Sequence, residues 1–260
     1  MKTERIIISS ADRVCRIILN RPEKRNALDD TMVSELTEAF RQAGADDDVK
    51  VILLTASGSA FCAGADLAYL QRISENNLQQ NREDSTRLAR LFEMIVTLPK
   101  PVIAAVNGPA LAGGCGLASV CDIVLAASDS AQFGYTEVRI GFIPAVVMTF
   151  LIRRVGEGRA RELILRGHII DAREAKEIGL VNRVTEGGSL ETEAEALCRE
   201  LITRNSGAAM ALSKKLIWKI ANLDMKSALN LAAQANAEAR MTPECKKGIA
   251  AFLGKKKVKW

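Results

Sequence analysis

Three apolar runs, VKVILLTAS (residues 49–57), PVIAAVNG (101–108) and DIVLAAS (122–128), each give way to a loop and then to a helical or turn-rich pattern. Strands buried on both faces carry such unbroken runs, and strands alternating with helices build a parallel α/β sheet. The chain is therefore expected to have an α/β core. Upstream, RIIISS and RVCRIIL read as a hairpin. An amphipathic helix follows from about Asp29 to Gly44, with Asp29, Asp30 and Thr31 as candidate caps. A further helix covers about 83–97 and is stopped by Pro99 and Pro101. From Pro144 onward the pattern is helical, interrupted by the short β run LVNRV. The change of character places a boundary near residue 200, giving a core of residues 1–200 and a C-terminal helical region of residues 201–260.

Composition narrows the function. Of 260 residues 48% are hydrophobic, enough for a large core, while aromatics are only 4%, too sparse for a base-stacking surface. DNA is not an expected partner, and the mild net charge of +5, part of it in the tail KKKVKW, gives RNA little support. The first residues, MKTERIIISS, hold no apolar signal core, and no run approaches the ~20 apolar residues of a membrane span, so the expectation is a cytoplasmic protein. Six cysteines without a C-x-x-C pair read as reduced and buried, and no Cys/His spacing calls for a metal.

The loops after two of the apolar runs carry the functional signal. A peptide N–H is a fixed dipole that needs no protonation, and two aimed at one oxygen stabilise an oxyanion. Main chain that approaches a ligand this closely needs Gly and Ala, and both FCAGADL (61–67) and NGPALAGGCGLASVCD (107–122) have that composition. The first offers the N–H of Ala65. In the second, Gly113-Gly114 opens a helix, where N–H groups lack intrahelical partners. Close helix–strand packing selects the same small residues, so for either stretch alone both roles stay open. Glu137, in FGYTEVRIGFIP, sits among Tyr135, Thr136, Val138 and Ile140. A carboxylate in an apolar run either pairs, here with Arg139 at the surface, or holds its proton more tightly. His168, the single histidine, falls between two helices and reads as a loop residue.

In this order, NRPEKRNALD, FCAGADL, KPVIAAVNGPALAGGCGLASVCDIVLAA, AQFGYTEVRIGFIP and GHIIDAREAKEIGLVNRV resemble the enoyl-CoA hydratase/isomerase (crotonase) family. The resemblance implies an α/β crotonase-like spiral of ββα units with a C-terminal helical trimerisation region, in a homotrimer or dimer of trimers. It implies an acyl-CoA thioester substrate, with coenzyme A present as part of that substrate and no permanently bound cofactor. Glu137 would be the general acid/base, and the amides of Ala65 and Gly113 would hold the enolate oxygen. Ala63, Asp66 and Leu67 would line the path of adenine and pantetheine. Lys24 and Arg25 would sit near the CoA phosphates with Ala27 beside them, and Lys255, or a neighbour from another subunit, could reach the same phosphates.

The chain departs from the family pattern in three places. The family's standard hydratases place a water-positioning glutamate one residue after the position of Cys115, where this chain has Gly116. The triple glycine begins here with Ala112, and the glycine-rich stretch after Ile143-Pro144 is Ala-Val-Val-Met. Glu137 alone is compatible with hydration, its water held by backbone or by Tyr135, and with Δ3,Δ2-enoyl-CoA isomerisation. The string TEVRIGFIPA is similar to hydratases of branched-chain acid breakdown, of the methylglutaconyl-CoA kind, and favours hydration. A glutamate restored at 116 would raise crotonyl-CoA hydration if the pocket accepts it. Among other classes, a serine or cysteine hydrolase lacks G-x-S-x-G and any histidine near Cys62 or Cys115. A non-catalytic CoA- or RNA-binding member has only the basic tail in its favour.

Overall fold

A computed structural model describes residues 3–186 and 188–260. The N-terminal hairpin is β1 (Ile6–Ala11) and β2 (Val14–Leu19), turned by Asp12 and Arg13 at positive φ, and followed by helix α1 (Asp30–Ala45). Asp29 caps α1 by accepting the Met32 N–H at 2.8 Å. The helix buries Met32, Leu36, Ala39, Phe40 and Ala43, a stripe at helical spacing. Strand β3 (Val51–Ala56) leads through the FCAGADL loop to α2 (Leu67–Ile73) and α3 (Leu78–Thr97). Helix α3 begins five residues before the sequence pattern becomes apolar, because an Asn77–Gln80 capping box closes its polar first turn.

Two consecutive ββα units follow: β4 (Val102–Val106), β5 (Ala110–Leu111) and α4 (Gly113–Ser119), then β6 (Ile123–Ala127), β7 (Gln132–Gly134) and α5 (Ala145–Arg166). Helix α5 absorbs what the sequence reads as two helices, joined across Gly156 at φ 77°. The chain continues with β8 (Ile169–Asp171), α6 (Ala172–Glu177), β9 (Arg183–Thr185), α7 (Leu190–Arg204), α8 (Gly207–Ile220), α9 (Met225–Met241) and α10 (Pro243–Leu253). The main sheet runs β1-β2-β3-β4-β6-β9, parallel from β2 onward, with Cys15 opposite Ile52, Ile52 opposite Val102 and Ile103 opposite Ile123. A small second sheet, β5-β7-β8, has no counterpart in the sequence reading, since strands of two or three residues carry no period. His168 lies between the end of α5 and the start of β8, outside any helix or strand, as the sequence reading has it.

Alternation along β3, β4 and β6 divides the core. Ile52, Leu54, Ala104 and Val124 face α1, α3, α4 and α5, while Val51, Leu53, Ile103 and Leu125 face α7. No helix among the described residues is long and apolar enough to cross a membrane.

Lys214 ties helix α8 to the core by hydrogen bonds, beside the stacking of Trp218 on Phe150 of α5. Lys214 Nζ donates to Ile95 O at 2.9 Å, Lys100 O at 3.0 Å and Asp122 Oδ2 at 2.6 Å, which uses all three of its N–H groups. Asp122 in turn accepts the Val102 N–H at 2.7 Å, at the start of β4. The pair is largely buried, with side-chain exposures of 10% for Lys214 and 28% for Asp122. Lys214→Ala strands a carboxylate and two carbonyls, and is expected to lower the unfolding free energy by about 2–4 kcal/mol. A urea unfolding curve read by circular dichroism measures it.

Candidate active site

The loops after β3 and β4 come together through their main chains. Cys62 N–H donates to Pro109 O at 3.1 Å and Leu111 N–H to Cys62 O at 2.9 Å, forming a parallel bridge between Cys62 and Ala110. The approach leaves no room for larger residues. A β-carbon on Gly64 would lie 3.0 Å from both Ala112 Cβ and Leu111 O, and Gly64 also sits at φ 92°, where L side chains are strained. On Gly114 a β-carbon would overlap the Cys62 carbonyl. Thus the small residues serve packing and the placement of backbone at once.

Two N–H groups are left over by this arrangement. Leu28 N–H donates to Gly64 O at 2.7 Å and Asp66 N–H to Leu28 O at 2.9 Å, so the intervening Ala65 N–H faces away from Leu28. Gly113 is the first residue of α4, whose opening N–H groups have no partner within the helix. Among the described residues neither the Ala65 nor the Gly113 N–H meets a protein acceptor. Just before Gly113, Ala112 adopts φ 50°, ψ −123°, a conformation natural to glycine and strained for alanine. Its N–H donates to Gly134 O at 2.7 Å and its carbonyl accepts from Gly116 N–H at 3.0 Å, which hold it there.

Both residues line a cavity of about 310 Å³, and so does Glu137. Glu137 opens a short helical turn, Glu137–Ile140, after β7. Its Oε2 is buried without a hydrogen-bond partner, and burial raises its carboxyl above the ordinary value of 4.5. Of the two outcomes the sequence left open, the surface ion pair with Arg139 is not the one formed: no such pair exists among the described residues. The rest of the wall is mostly apolar, from Leu28, Val33, Leu70, Leu88, Val146 and Val147. A larger groove of about 800 Å³ runs beside Phe150, Lys214 and Trp218 and contains neither these amides nor Glu137.

The remaining predicted site residues divide. Ala63 and Leu67 line the cavity, Leu67 being largely exposed. Asp66 does not: it is buried, caps α2 through the Ala68 and Tyr69 N–H groups, and pairs with Arg21 at 2.9 Å. Lys24 and Arg25 are exposed at the end of the turn Pro22–Lys24, while Ala27 is buried beneath them. Lys255 is exposed beyond α10 and lies outside the cavity wall. Tyr135, offered above as a holder of water, is fully buried and also lies outside it. Cys62 and Cys115 are fully buried and burial pushes both thiols up to about 12, the opposite of a nucleophile's environment. Among the described residues no three His, Cys, Asp or Glu side chains gather as metal ligands.

Two anchors escaped the sequence reading. Asn26, fully buried at φ 53°, accepts Arg21 N–H at 2.7 Å and donates to Ser57 O and Ala60 O, both at 2.8 Å, stitching the NRPEKRNALD loop to the exit of β3. Arg154 donates to Ser119 O, Cys121 O, Leu180 O and Asn182 Oδ1 at 2.7–3.0 Å, fixing the far end of α4. Asn after a basic turn, and Arg inside a helical pattern, look in sequence like any exposed polar residue.

The profile of the Enoyl-CoA hydratase/isomerase family matches residues 9–260. The chain belongs to that family. A Thermus thermophilus member is 44% identical over 94% of this chain and 95% of its own length. The crotonyl-CoA hydratase of Syntrophomonas wolfei is 36% identical over 99% of this chain and 98% of its own. A crystal structure of an enoyl-CoA hydratase from Mycobacterium smegmatis superposes with a TM-score of 0.93 at 34% identity, covering 99% of each chain. The fold is the crotonase spiral, with its C-terminal helices, and the family's substrates are acyl-CoA thioesters.

The family's first-glutamate position is closed here. A β-carbon on Gly116 would overlap Val147 Cγ1 and lie 3.0 Å from Phe92 Cε2. The condition on which a restored glutamate is expected to gain activity, that the pocket accept it, is not met: the slot is filled by a side chain of α5. Gly116→Glu, and even Gly116→Ala, is expected to cost about 1–3 kcal/mol through overpacking. For a chain of this size that is a drop of about 2–4 °C in melting temperature per kcal/mol, read by scanning calorimetry, with no gain in crotonyl-CoA hydration.

Proposed function

We propose that the protein adds water across the double bond of a 2-enoyl-CoA, and removes it in reverse, with Glu137 as general acid/base and the Ala65 and Gly113 amides holding the thioester oxygen. The observation that carries this reading is the convergence, in one cavity, of two amides without acceptors and one buried carboxyl without a partner. In the forward step ionised Glu137 takes a proton from water as the water oxygen bonds to C3. The C2=C3 electron pair moves onto the thioester oxygen, where the two N–H dipoles meet the developing charge. Neutral Glu137 then delivers the proton to C2, leaving a 3-hydroxyacyl thioester. A carboxyl whose proton affinity is raised is the better base in the first half and is regenerated in the second.

The name of the Syntrophomonas wolfei relative supports a four-carbon substrate, and a small apolar cavity supports a short or branched chain, including one of the methylglutaconyl-CoA kind. Isomerisation of a 3-enoyl-CoA is the second reading, favoured by the filled slot at Gly116, because it needs the base and the amides but no water. Exposed Lys24 and Arg25, on the turn that leads into cavity residue Leu28, are proposed to meet the CoA phosphates. Helices α8–α10 expose Ile217, Met225, Leu229, Phe252 and Leu253, which supports burial of this face in a homotrimer or a dimer of trimers; there Lys255 of a second copy could join the phosphate site. Six unpaired cysteines support work in a reducing compartment such as the cytoplasm.

A panel of enoyl-CoAs followed by mass separates the readings, since hydration adds the mass of one water and isomerisation adds none. Glu137→Gln is expected to lose about 10²–10⁴ in kcat. Because the fold destabilises the ionised carboxyl, stability is lost as pH rises through its raised value, so the neutral glutamine should melt no lower than wild type at pH 7. Full turnover by Glu137→Gln on every accepted acyl-CoA would refute the base assignment. For the wild type, kcat/KM should fall on the acid side with an apparent pKa above 4.5, as the base protonates; a pH–rate profile measures it.

A further inference from the structure

Hydration asks more of a site than isomerisation does. The attacking water must give one proton to Glu137 while a second acceptor takes its other hydrogen, so that a lone pair points at C3. The slot at Gly116 cannot hold that acceptor, because Val147 and Phe92 fill it, and Tyr135 lies outside the cavity. A different phenol does line it. Tyr69, on α2 four residues beyond Ala65, shares the cavity wall with Ala65, Gly113 and Glu137.

The environment of Tyr69 settles which way its hydroxyl proton points. The phenol donates to Asp84 Oδ1 on α3. Burial, with the Asp84 carboxylate beside it, raises the phenol above its ordinary value, so the proton stays on the oxygen. Arg72 lies over the ring, 5.1 Å from its centroid, and pairs with Asp30 of α1. Arg87 bridges Asp84 at 2.9 Å and Asp30 at 3.0 Å. Three helices thus fix one hydroxyl. With its single hydrogen committed to Asp84, the Tyr69 oxygen has only lone pairs to offer. The cavity that Tyr69 lines, about 310 Å³, is the same one that Glu137 and the two amides line.

We infer that Tyr69 is a catalytic residue of the hydration, accepting a hydrogen bond from the non-transferred hydrogen of the attacking water, and that Asp84 is the positioning residue that turns the phenol into an acceptor. The inference rests on the hydratase reading. No bond to Tyr69 forms or breaks. One water hydrogen goes to Glu137 and on to C2, and the other remains on the new 3-hydroxyl, still directed at Tyr69. Tyr69→Phe deletes the acceptor. Asp84→Leu releases the phenol hydrogen toward the water and reverses the polarity of the contact, whereas Asp84→Asn still accepts from the phenol through its amide oxygen.

Two reactions of the purified full-length protein separate this role from a structural one. Crotonyl-CoA hydration uses the water. Exchange of the α-hydrogen of butyryl-CoA in D2O uses only Glu137 and the two amides. Tyr69→Phe and Asp84→Leu are expected to lower kcat for hydration about tenfold or more, the value of one oriented hydrogen bond, with KM within twofold and α-exchange unchanged. Asp84→Asn should recover most of what Asp84→Leu loses. Hydration by Tyr69→Phe within twofold of wild type, or a parallel fall in exchange, overturns the inference. A wild-type protein that exchanges the α-hydrogen but adds no water to crotonyl-CoA overturns the hydratase reading instead, and this role with it.

Discussion

Two hydrogen bonds, from Cys62 to Pro109 and from Leu111 to Cys62, bring the loops of neighbouring parallel strands into main-chain contact. The other features of the site follow from that contact. Main chains this close exclude side chains between them, which is why Gly64 and Gly114 cannot carry a β-carbon and why Cys62, Ala110 and Ala112 are small. Beside this contact, the Leu28–Ala65 bridge turns the Ala65 N–H outward, and the opening of α4 leaves the Gly113 N–H without a helical partner. Donors obtained in this way carry no titratable charge and need not reorganise during reaction. Their orientation is set by the sheet, through the parallel pairing of β3 with β4, and by the Arg154 clamp at the far end of α4.

The chemistry then turns on which polar groups share the cavity with those donors. Glu137 arrives from a separate unit, at the end of the small second sheet, and is half-enclosed by apolar residues. Water would solvate its charge better than this wall does, so its proton affinity rises. A carboxyl in such a wall keeps its proton to a higher pH than an exposed one does.

Sequence made part of this legible, and the division has physical reasons. The parallel core was visible because strands buried on both faces need long apolar runs, and the loops because backbone approach needs Gly and Ala. Glu137 stood out as a carboxylate in apolar surroundings. The clamp residues Asn26 and Arg154 did not, since their partners are carbonyl oxygens, which every residue possesses. Asp66 was assigned to the ligand path, yet its partners Arg21 and the first turn of α2 make it a structural cap. Strands β5, β7 and β8 are too short to show a period. The link between Tyr69 and Asp84 spans fifteen residues and two helices whose mutual packing no local pattern encodes.

The filling of the Gly116 slot by Val147 has a bearing on ancestry. A bulky residue at 116 requires a small one at 147, and a bulky residue at 147 requires glycine at 116. Passing from a site with two carboxylates to one with a single carboxylate, or back, therefore crosses an intermediate that is either crowded or hollow. The two positions are sterically coupled. An exchange of reaction type within this fold would have to be inherited as a double change, or be preceded by drift in α5 that loosens the contact first.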